Sequence, residues 1–235
     1  MKTIGLIGGM SWESTVTYYE IINDAVKQAL GGLHSAKIVL YSVDFAEIEA
    51  YQASGDWDTS AQILAQAAQK LERAGADFIL ICTNTMHKVA PQVQANINIP
   101  LLHIADATAR QLVAGDIKKV ALLGTKYTMT QDFYVNRIQA HGIEVLVPQG
   151  EEIELVNHVI YDELCRGETK DASRGQFIHI IERLQRRGAQ AVILGCTEIG
   201  LLVKQQDSPL PVFDTAQIHA RAAAQAAIQG DEVLH

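Results

Sequence analysis

The chain of 235 residues is poor in several kinds of residue, and each shortage excludes a class of protein. Its three cysteines, Cys82, Cys165 and Cys196, are too few and too far apart for a disulfide framework, and they lack the close pairing of a zinc site. Thiols spaced this way suit a reducing compartment, so a cytoplasmic protein is expected. The sequence contains no apolar run approaching the roughly 18 residues of a membrane span, and no membrane partner is expected. The apolar stretch in MKTIGLIGGMSWES is too short for a secretory signal and reads as a first strand. Basic residues are in deficit, 19 Lys and Arg against 27 Asp and Glu, which gives a formal charge of −8. Such a surface repels phosphate backbones, so no nucleic-acid partner is expected. Low-complexity and Pro/Gly-rich linker segments are also missing.

What is present is ordinary for a globular chain: 48% apolar and 20% charged residues, with enough length for a well-buried core. Short apolar runs at Thr3–Gly8, Lys37–Val43, Asp77–Cys82, Leu101–His103, Val120–Gly124, Glu144–Leu146, Ala191–Cys196 and Val212–Phe213 read as strands. Their apolar character on both faces is that of parallel strands covered by helices. Helical stripes lie between them: Ile63, Leu64, Ala67, Ala68 and Leu71; Val156, Val159, Ile160 and Leu164; Phe177, Ile180, Ile181 and Leu184. Gly75 and Gly188 follow two of these helices, where a left-handed residue is expected. Alternating strands and helices predict an α/β fold with parallel sheets.

The chain also repeats itself. Lys2-Thr-Ile-Gly-Leu-Ile-Gly-Gly9 resembles Lys118-Lys-Val-Ala-Leu-Leu-Gly-Thr125 at an offset of 116, which also sets Tyr18 on Tyr134 and Ile22 on Ile138. Leu71–Ala76 resembles Leu184–Ala189 at 113, Cys82-Thr83 matches Cys196-Thr197 at 114, and Ile99-Pro-Leu101 matches Leu210-Pro-Val212 at 111. Four blocks in one order at nearly one spacing imply two similar α/β halves, a period too long for a solenoid.

Each half carries a strand that runs into Cys-Thr. Ligands of open parallel sheets bind beyond the carboxyl ends of the strands, so both cysteines stand where chemistry is usual. Thr83-Asn84-Thr85 and Thr197-Glu198 read as helix starts, whose N–H groups favour an anion and would lower a thiol from about 8.5 toward neutrality. Two thiols at matching positions suggest opposed acid and base: one removes a proton from carbon and the other returns one from across the plane. Gly5-Leu-Ile-Gly8-Gly9 is neither a dinucleotide fingerprint nor a P-loop, and reads as a tight turn that brings backbone close to a carboxylate. His87 and His103 could partner a cysteine in a Cys–His pair or simply pack, with His103 and Asp106 also placed for a domain crossover. Cys165 reads either as a helix-end core thiol or as a pocket wall. Glu198 reads either as a site residue or as a first-turn carboxylate complementing the helix dipole, and the acidic run Gly150–Glu154 as a helix start.

Gly8-Gly-Met10 with Trp12 and Ser14-Thr15, Cys82-Thr-Asn-Thr85, Leu122-Leu-Gly-Thr125 with Thr128-Met129, and Gly195-Cys-Thr-Glu198 resemble the aspartate/glutamate racemase family over nearly the whole chain. Gly31-Gly-Leu-His-Ser35 and Tyr161-Asp-Glu-Leu-Cys165 are most similar to its broad-specificity amino-acid racemase branch. The resemblance implies two flavodoxin-like three-layer α/β/α domains related by a pseudo-twofold axis, residues 1–103 with 214–235 and residues 104–213, with the active site at their interface and a last helix returning to the first domain. It implies a homodimer, an amino acid as the small-molecule substrate, and no metal or organic cofactor, pyridoxal phosphate included. Cys82 and Cys196 would be the proton-transfer residues, and Met10, Thr83, Asn84, Thr85, Thr125, Thr128 and Thr197 would line the site. Aspartate-specific members carry an arginine and a lysine where this chain has Ile48 and Cys165. Without those two cations a second carboxylate loses its charge-assisted hydrogen bonds, so neutral side chains are expected to be preferred, with Gln52 as a polar contact at the pocket edge. The expected activity is that of an isomerase, a racemase working by two-base 1,1-proton transfer at Cα. The alternatives are an aspartate/glutamate-specific racemase, a related isomerase or hydantoin racemase, and a non-catalytic binder of small acids.

Overall fold

In the computed structural model, which describes residues 1–230, strands form where apolar β-branched runs are bounded by turn residues, and helices where the apolar period lengthens. The chain runs β1 (Thr3–Gly8), α1 (Trp12–Leu30), β2 (Lys37–Ser42), α2 (Phe45–Ser54), α3 (Trp57–Arg73) and β3 (Phe78–Ile81). A 3-10 turn at Thr85–Val89 leads into α4 (Ala90–Gln94) and then α5 (Ile104–Ala114). The second series is β4 (Lys119–Gly124), α6 (Lys126–Thr130), α7 (Asp132–Gln139), β5 (Glu144–Leu146) and α8 (Glu151–Asp162). It ends with α9 (Asp171–Arg186), β6 (Ala191–Gly195), α10 (Ile199–Leu202), β7 (Val212–Asp214) and α11 (Thr215–Gln229).

The chain divides into two compact units: Met1–Ile104 with the segment from Ala216 onward, and Ala105–Thr215. Each holds one sheet, ordered β2-β1-β3 and β5-β4-β6-β7, with every pairing parallel. The two orders are the same, and the fourth position of the first sheet is held by a single parallel bridge between Ile79 and Leu101. The strand expected at Leu101–His103 is thus one bridge long. Pro100 and Leu102 bond Ile79 on either side of it, and α5 begins at Ile104, which leaves no length for a ladder. The expectation that each strand is apolar on both faces fails at β2, where Lys37, Leu40 and Ser42 are exposed because β2 is a sheet edge.

Side chains alternate across the first sheet. Ile7, Ile79 and Ile81 pack with α3 residues Leu64, Ala67, Ala68 and Leu71. Ile4, Leu6, Phe78 and Leu80 face α1 residues Tyr18, Ile22 and Val26 and the alanine-rich face of α11. Alanine at 216, 220, 223, 224 and 227 lets α11 lie close to the sheet, and Lys2 N–H donates to the Ala227 carbonyl at 2.8 Å. In the second unit Ala121, Leu123, Val192 and Leu194 pack against Val156, Val159 and Ile160 of α8 and Phe177, Ile181 and Leu184 of α9. The apolar stripes read from sequence are therefore the buried faces. Gly75 and Gly188 follow α3 and α9 at φ 91° and 99°, and α8 starts with Glu151, Glu152 and Glu154 in its first turn. Tyr18 and Tyr134, matched by the repeat, are both fully buried. The helix around Tyr18 is continuous, whereas its counterpart is broken into α6 and α7 by extended backbone at Gln131.

One glycine pair sets the close packing beneath the loops of the second unit. Gly124 and Gly195 are register partners on β4 and β6, and a Cβ on Gly195 would lie 2.7 Å from Leu122 Cδ1 and 3.0 Å from the Leu123 carbonyl oxygen. Gly195→Ala is expected to destabilise the protein by about 1–3 kcal/mol, the usual cost of overpacking, read by urea unfolding as a lower midpoint at unchanged slope.

Candidate active site

In the first unit Ile7 pairs with Ile81, so the end of β1 lies beside Cys82, whose N–H donates to the Ile7 carbonyl at 2.9 Å. The β1–α1 turn is built on Gly9 at φ 91°, where a Cβ would come within 2.3 Å of the Val43 carbonyl oxygen. Gly9 N–H donates to Thr15 Oγ1 at 2.8 Å, a contact that folds the turn and leaves Met10 buried near the strand end. Cys82, Asn84 and Thr85 are buried and Thr83 is partly exposed. Gln52, on α2, is buried, with its amide nitrogen 3.0 Å from Met86 Sδ. It is therefore a partner of the turn that follows Cys82.

In the second unit Thr125 caps α6, its Oγ1 accepting from Thr128 N–H at 3.3 Å and lying 3.2 Å from the Thr128 hydroxyl. Cys196 follows β6, the strand paired with β4, so Thr125, Thr128 and Cys196 share one carboxyl edge. The Cys196 thiol donates to Glu198 Oε2 at 3.0 Å, and the Thr197 hydroxyl donates to the same oxygen at 2.8 Å. Cys165 sits in a 3-10 turn, Leu164–Arg166, against the cluster that contains Cys196, and interacts with Cys196 electrostatically. It is thus a partly buried thiol just past the end of α8, packed against the core that holds Cys196. Below, the Thr215 hydroxyl donates to the Leu194 carbonyl at 2.8 Å and ties the strand end to the chain entering α11.

The two cysteines do not occupy equivalent strand positions. β1 and β4 correspond at an offset of 116, and their pairings carry Phe78 onto Ala191, an offset of 113. Cys82 and Cys196 are 114 apart, so Cys196 lies one residue further along its strand line. One step reverses the face of a strand side chain. Cys82 accordingly packs in the α1/α11 core, and Cys196 in the α8/α9 core.

The expected lowering of the thiols is reversed. Burial pushes Cys82 well above the ordinary thiol value. Burial also raises Cys196, reinforced by the negative charge of Glu198 and by Cys165. The segments after the cysteines are a 3-10 turn and a four-residue helix, too short for the macrodipole of a full helix to offset desolvation. The Cys–His pair at His87 is not formed either. His87 Nδ1 lies 2.7 Å from the Thr83 carbonyl oxygen and Nε2 accepts from Ile104 N–H, so both ring nitrogens are committed to main chain. Among the described residues no cluster of three or more His, Cys, Asp or Glu could hold a metal ion, and no helix is long and apolar enough to cross a membrane.

The model of the Asp/Glu/Hydantoin racemase family matches residues 7–223, which include both cysteine motifs. The chain belongs to this family. It is similar to the broad-specificity amino-acid racemase RacX of Bacillus subtilis (strain 168), 22% identical over 227 residues, covering 93% of this chain and 95% of the relative. Among solved structures it resembles a candidate Asp/Glu racemase from Yersinia pestis, at 57% identity and TM-score 0.92 over 97% of this chain and all of that one. It also resembles an aspartate racemase homologue from Pyrococcus horikoshii OT3, at 39% identity and TM-score 0.85 over 97% of this chain and 100% of that one. The matches extend the likeness from the motifs to the two-sheet fold of the Asp/Glu racemase family.

Two groups buttress the strand-end loops of the first unit, in arrangements that the sequence reading did not anticipate. Thr15 holds the Gly9 amide, and Tyr18, His87, His103 and His219 form a buried polar cluster in the first unit. The available signal was the spacing of His87, four residues after Thr83, which suits a side-chain bond back to that carbonyl. The raised thiols predict slow alkylation by iodoacetamide at pH 7. The rate should rise about tenfold per pH unit through pH 9, because only thiolate reacts. A plateau between pH 6 and 8 would mark a low-lying thiolate and contradict this electrostatic reading.

Proposed function

We propose that the protein is a cofactor-independent amino-acid racemase in which Cys82 and Cys196 perform two-base 1,1-proton transfer at Cα. The observation that carries this reading is the thiol at the carboxyl edge of a parallel sheet in each unit, within a family of racemases. The scheme requires both sulfurs to reach one α-carbon from opposite faces. One sulfur, as thiolate, takes the α-proton and leaves a carbanion conjugated with the carboxylate. The other, as thiol, gives a proton to the opposite face, so that the two cysteines exchange protonation states once per turnover. In this scheme hydrogen-bond donors of Thr83, Asn84, Thr85, Thr125, Thr128 and Thr197 would hold the enolate-like carboxylate.

The thiols divide the labour through their neighbours. The Cys196 thiol already donates to Glu198, so it is set up as the acid in the resting enzyme. Forming a second anion beside the carboxylate would cost repulsion, which leaves Cys82 to act as the first base. Substrate choice follows from two positions. Ile48 is fully buried in the apolar core beside α3, and Cys165 adjoins Cys196, so neither supplies a cation for a second carboxylate. Met10, Gln52 and Cys165 would instead meet a neutral side chain. The description of the Bacillus subtilis relative as a broad-specificity racemase favours the same choice, and the aspartate racemase homologue from Pyrococcus horikoshii favours the rival, an aspartate/glutamate-specific enzyme. Trp12, Val16 and Tyr19 form an exposed stripe along α1, and we assign the homodimer contact to it because aromatic side chains anchor interfaces.

Incubation with each amino acid in heavy water, followed by proton NMR, is expected to show deuterium at Cα for neutral amino acids, with kcat/KM above that for aspartate. Absence of exchange in every amino acid would overturn racemisation in favour of a binding protein. Comparable kcat/KM for aspartate would favour the specific enzyme. Cys82→Ser and Cys196→Ser should each lower racemisation by about 10²–10⁴-fold while one enantiomer still exchanges its α-proton. Full racemase activity in either variant would sink the two-base scheme.

A further inference from the structure

His87 is almost fully buried and is held in one tautomer by its surroundings. Ile104 N–H donates to Nε2 at 3.2 Å, so that nitrogen carries no hydrogen. Nδ1 must then carry it, and it donates to the Thr83 carbonyl at 2.7 Å. The ring is walled in by two more histidines, His103 with centroids 4.4 Å away and His219 at 5.8 Å. His219 is pinned in turn, with Nε2 2.8 Å from the Leu102 carbonyl oxygen and Nδ1 2.8 Å from the Tyr18 hydroxyl.

The two backbone groups bound by His87 are not arbitrary. Thr83 directly follows Cys82, and Ile104 is the last residue of the first unit before the chain crosses to the second. The amide of Cys82 is fixed on the sheet side through the Ile7 carbonyl. The carbonyl of the following residue, Thr83, is fixed by the imidazole. Cys82 is thus clamped on both sides along the backbone, and the clamp is anchored to the crossover.

We propose that His87 is a positioning residue: a neutral Nδ1–H imidazole that joins the Thr83 carbonyl to the Ile104 amide and thereby fixes the direction in which the Cys82 sulfur points. The inference rests on the racemase reading for its effect on turnover, but its geometry can be tested separately. The two bonds are separable by substitution. His87→Asn keeps an amide donor near Nδ1, facing Thr83. His87→Gln keeps an acceptor near Nε2, facing Ile104, and gives up the Thr83 bond.

The expected result is a loss of kcat of the order of 10²-fold in His87→Gln, the cost of a misplaced reacting group, while KM stays within about twofold. His87→Asn should restore most of the rate. In parallel, modification by methyl methanethiosulfonate, mapped by peptide mass spectrometry, should change at Cys82 in His87→Gln and stay unchanged at Cys196. Equal loss in both variants, equal retention, or a rise in KM alone would overturn the proposal. Nitrogen-15 spectra of the wild-type histidines test it without any variant, because an Nε2–H tautomer at His87 would also overturn it. Should the wild type exchange no α-proton, the racemase reading fails, and the Cys82 modification ratio and the tautomer alone decide the role of His87.

Discussion

Parallel pairing at the ends of β1 and β3, and of β4 and β6, governs where the reactive groups can stand. Each central strand hands its last residues to a neighbour in fixed register, and the side chains beyond that register have nowhere to go but the carboxyl edge. The loops at that edge are then shaped by small residues and hydroxyls. Gly9 accepts a left-handed turn against Val43, Thr15 holds its amide, and the Gly124–Gly195 pair lets β4 and β6 approach under Thr125 and Thr128. Hydrophobic layers back these positions, since α3, α9 and α11 cover the sheets with buried Leu and Ala faces.

Much of this was legible in the sequence because hydrophobic period survives folding. The stripes at Leu64 to Leu71 and Phe177 to Leu184 are the buried faces of α3 and α9, and the repeat of Tyr18 at Tyr134 is a repeat of burial. The same strand order in the two units follows from the repeated blocks. What sequence could not give was register. Aligning Cys82 with Cys196 treats the motif as the unit of comparison, whereas the backbone pairing makes Cys82 the counterpart of Gly195. A shift of one residue is invisible to motif spacing when loop lengths also vary by one or two.

Electrostatic environment was the other hidden quantity. Cys-Thr-Asn-Thr and Cys-Thr-Glu both look like helix starts, and a helix start favours an anion. Whether a thiol there is lowered depends on how long the helix is and how deep the sulfur lies, and the fold supplies a 3-10 turn, a four-residue helix and burial. His87 escaped in a related way. A histidine one turn after a cysteine is compatible with a dyad, with surface exposure or with packing, and only the positions of Thr83 and Ile104 show both of its nitrogens turned toward the main chain.

Glu198 beside Cys196, with Asn84 at the same distance in sequence from Cys82, makes the two proposed proton carriers chemically unequal. In a reaction that interconverts mirror images the equilibrium constant is unity, whatever the enzyme. The Haldane relation then forces kcat/KM to be equal for the two enantiomers, and no carboxylate placed next to one sulfur can tilt that ratio. The inequality has to be absorbed elsewhere, as a higher kcat matched by a proportionally higher KM for one hand. Under the proposed two-base scheme the lopsided pair of thiols would therefore tune which enantiomer saturates the enzyme first, and leave the thermodynamics of the racemic mixture untouched.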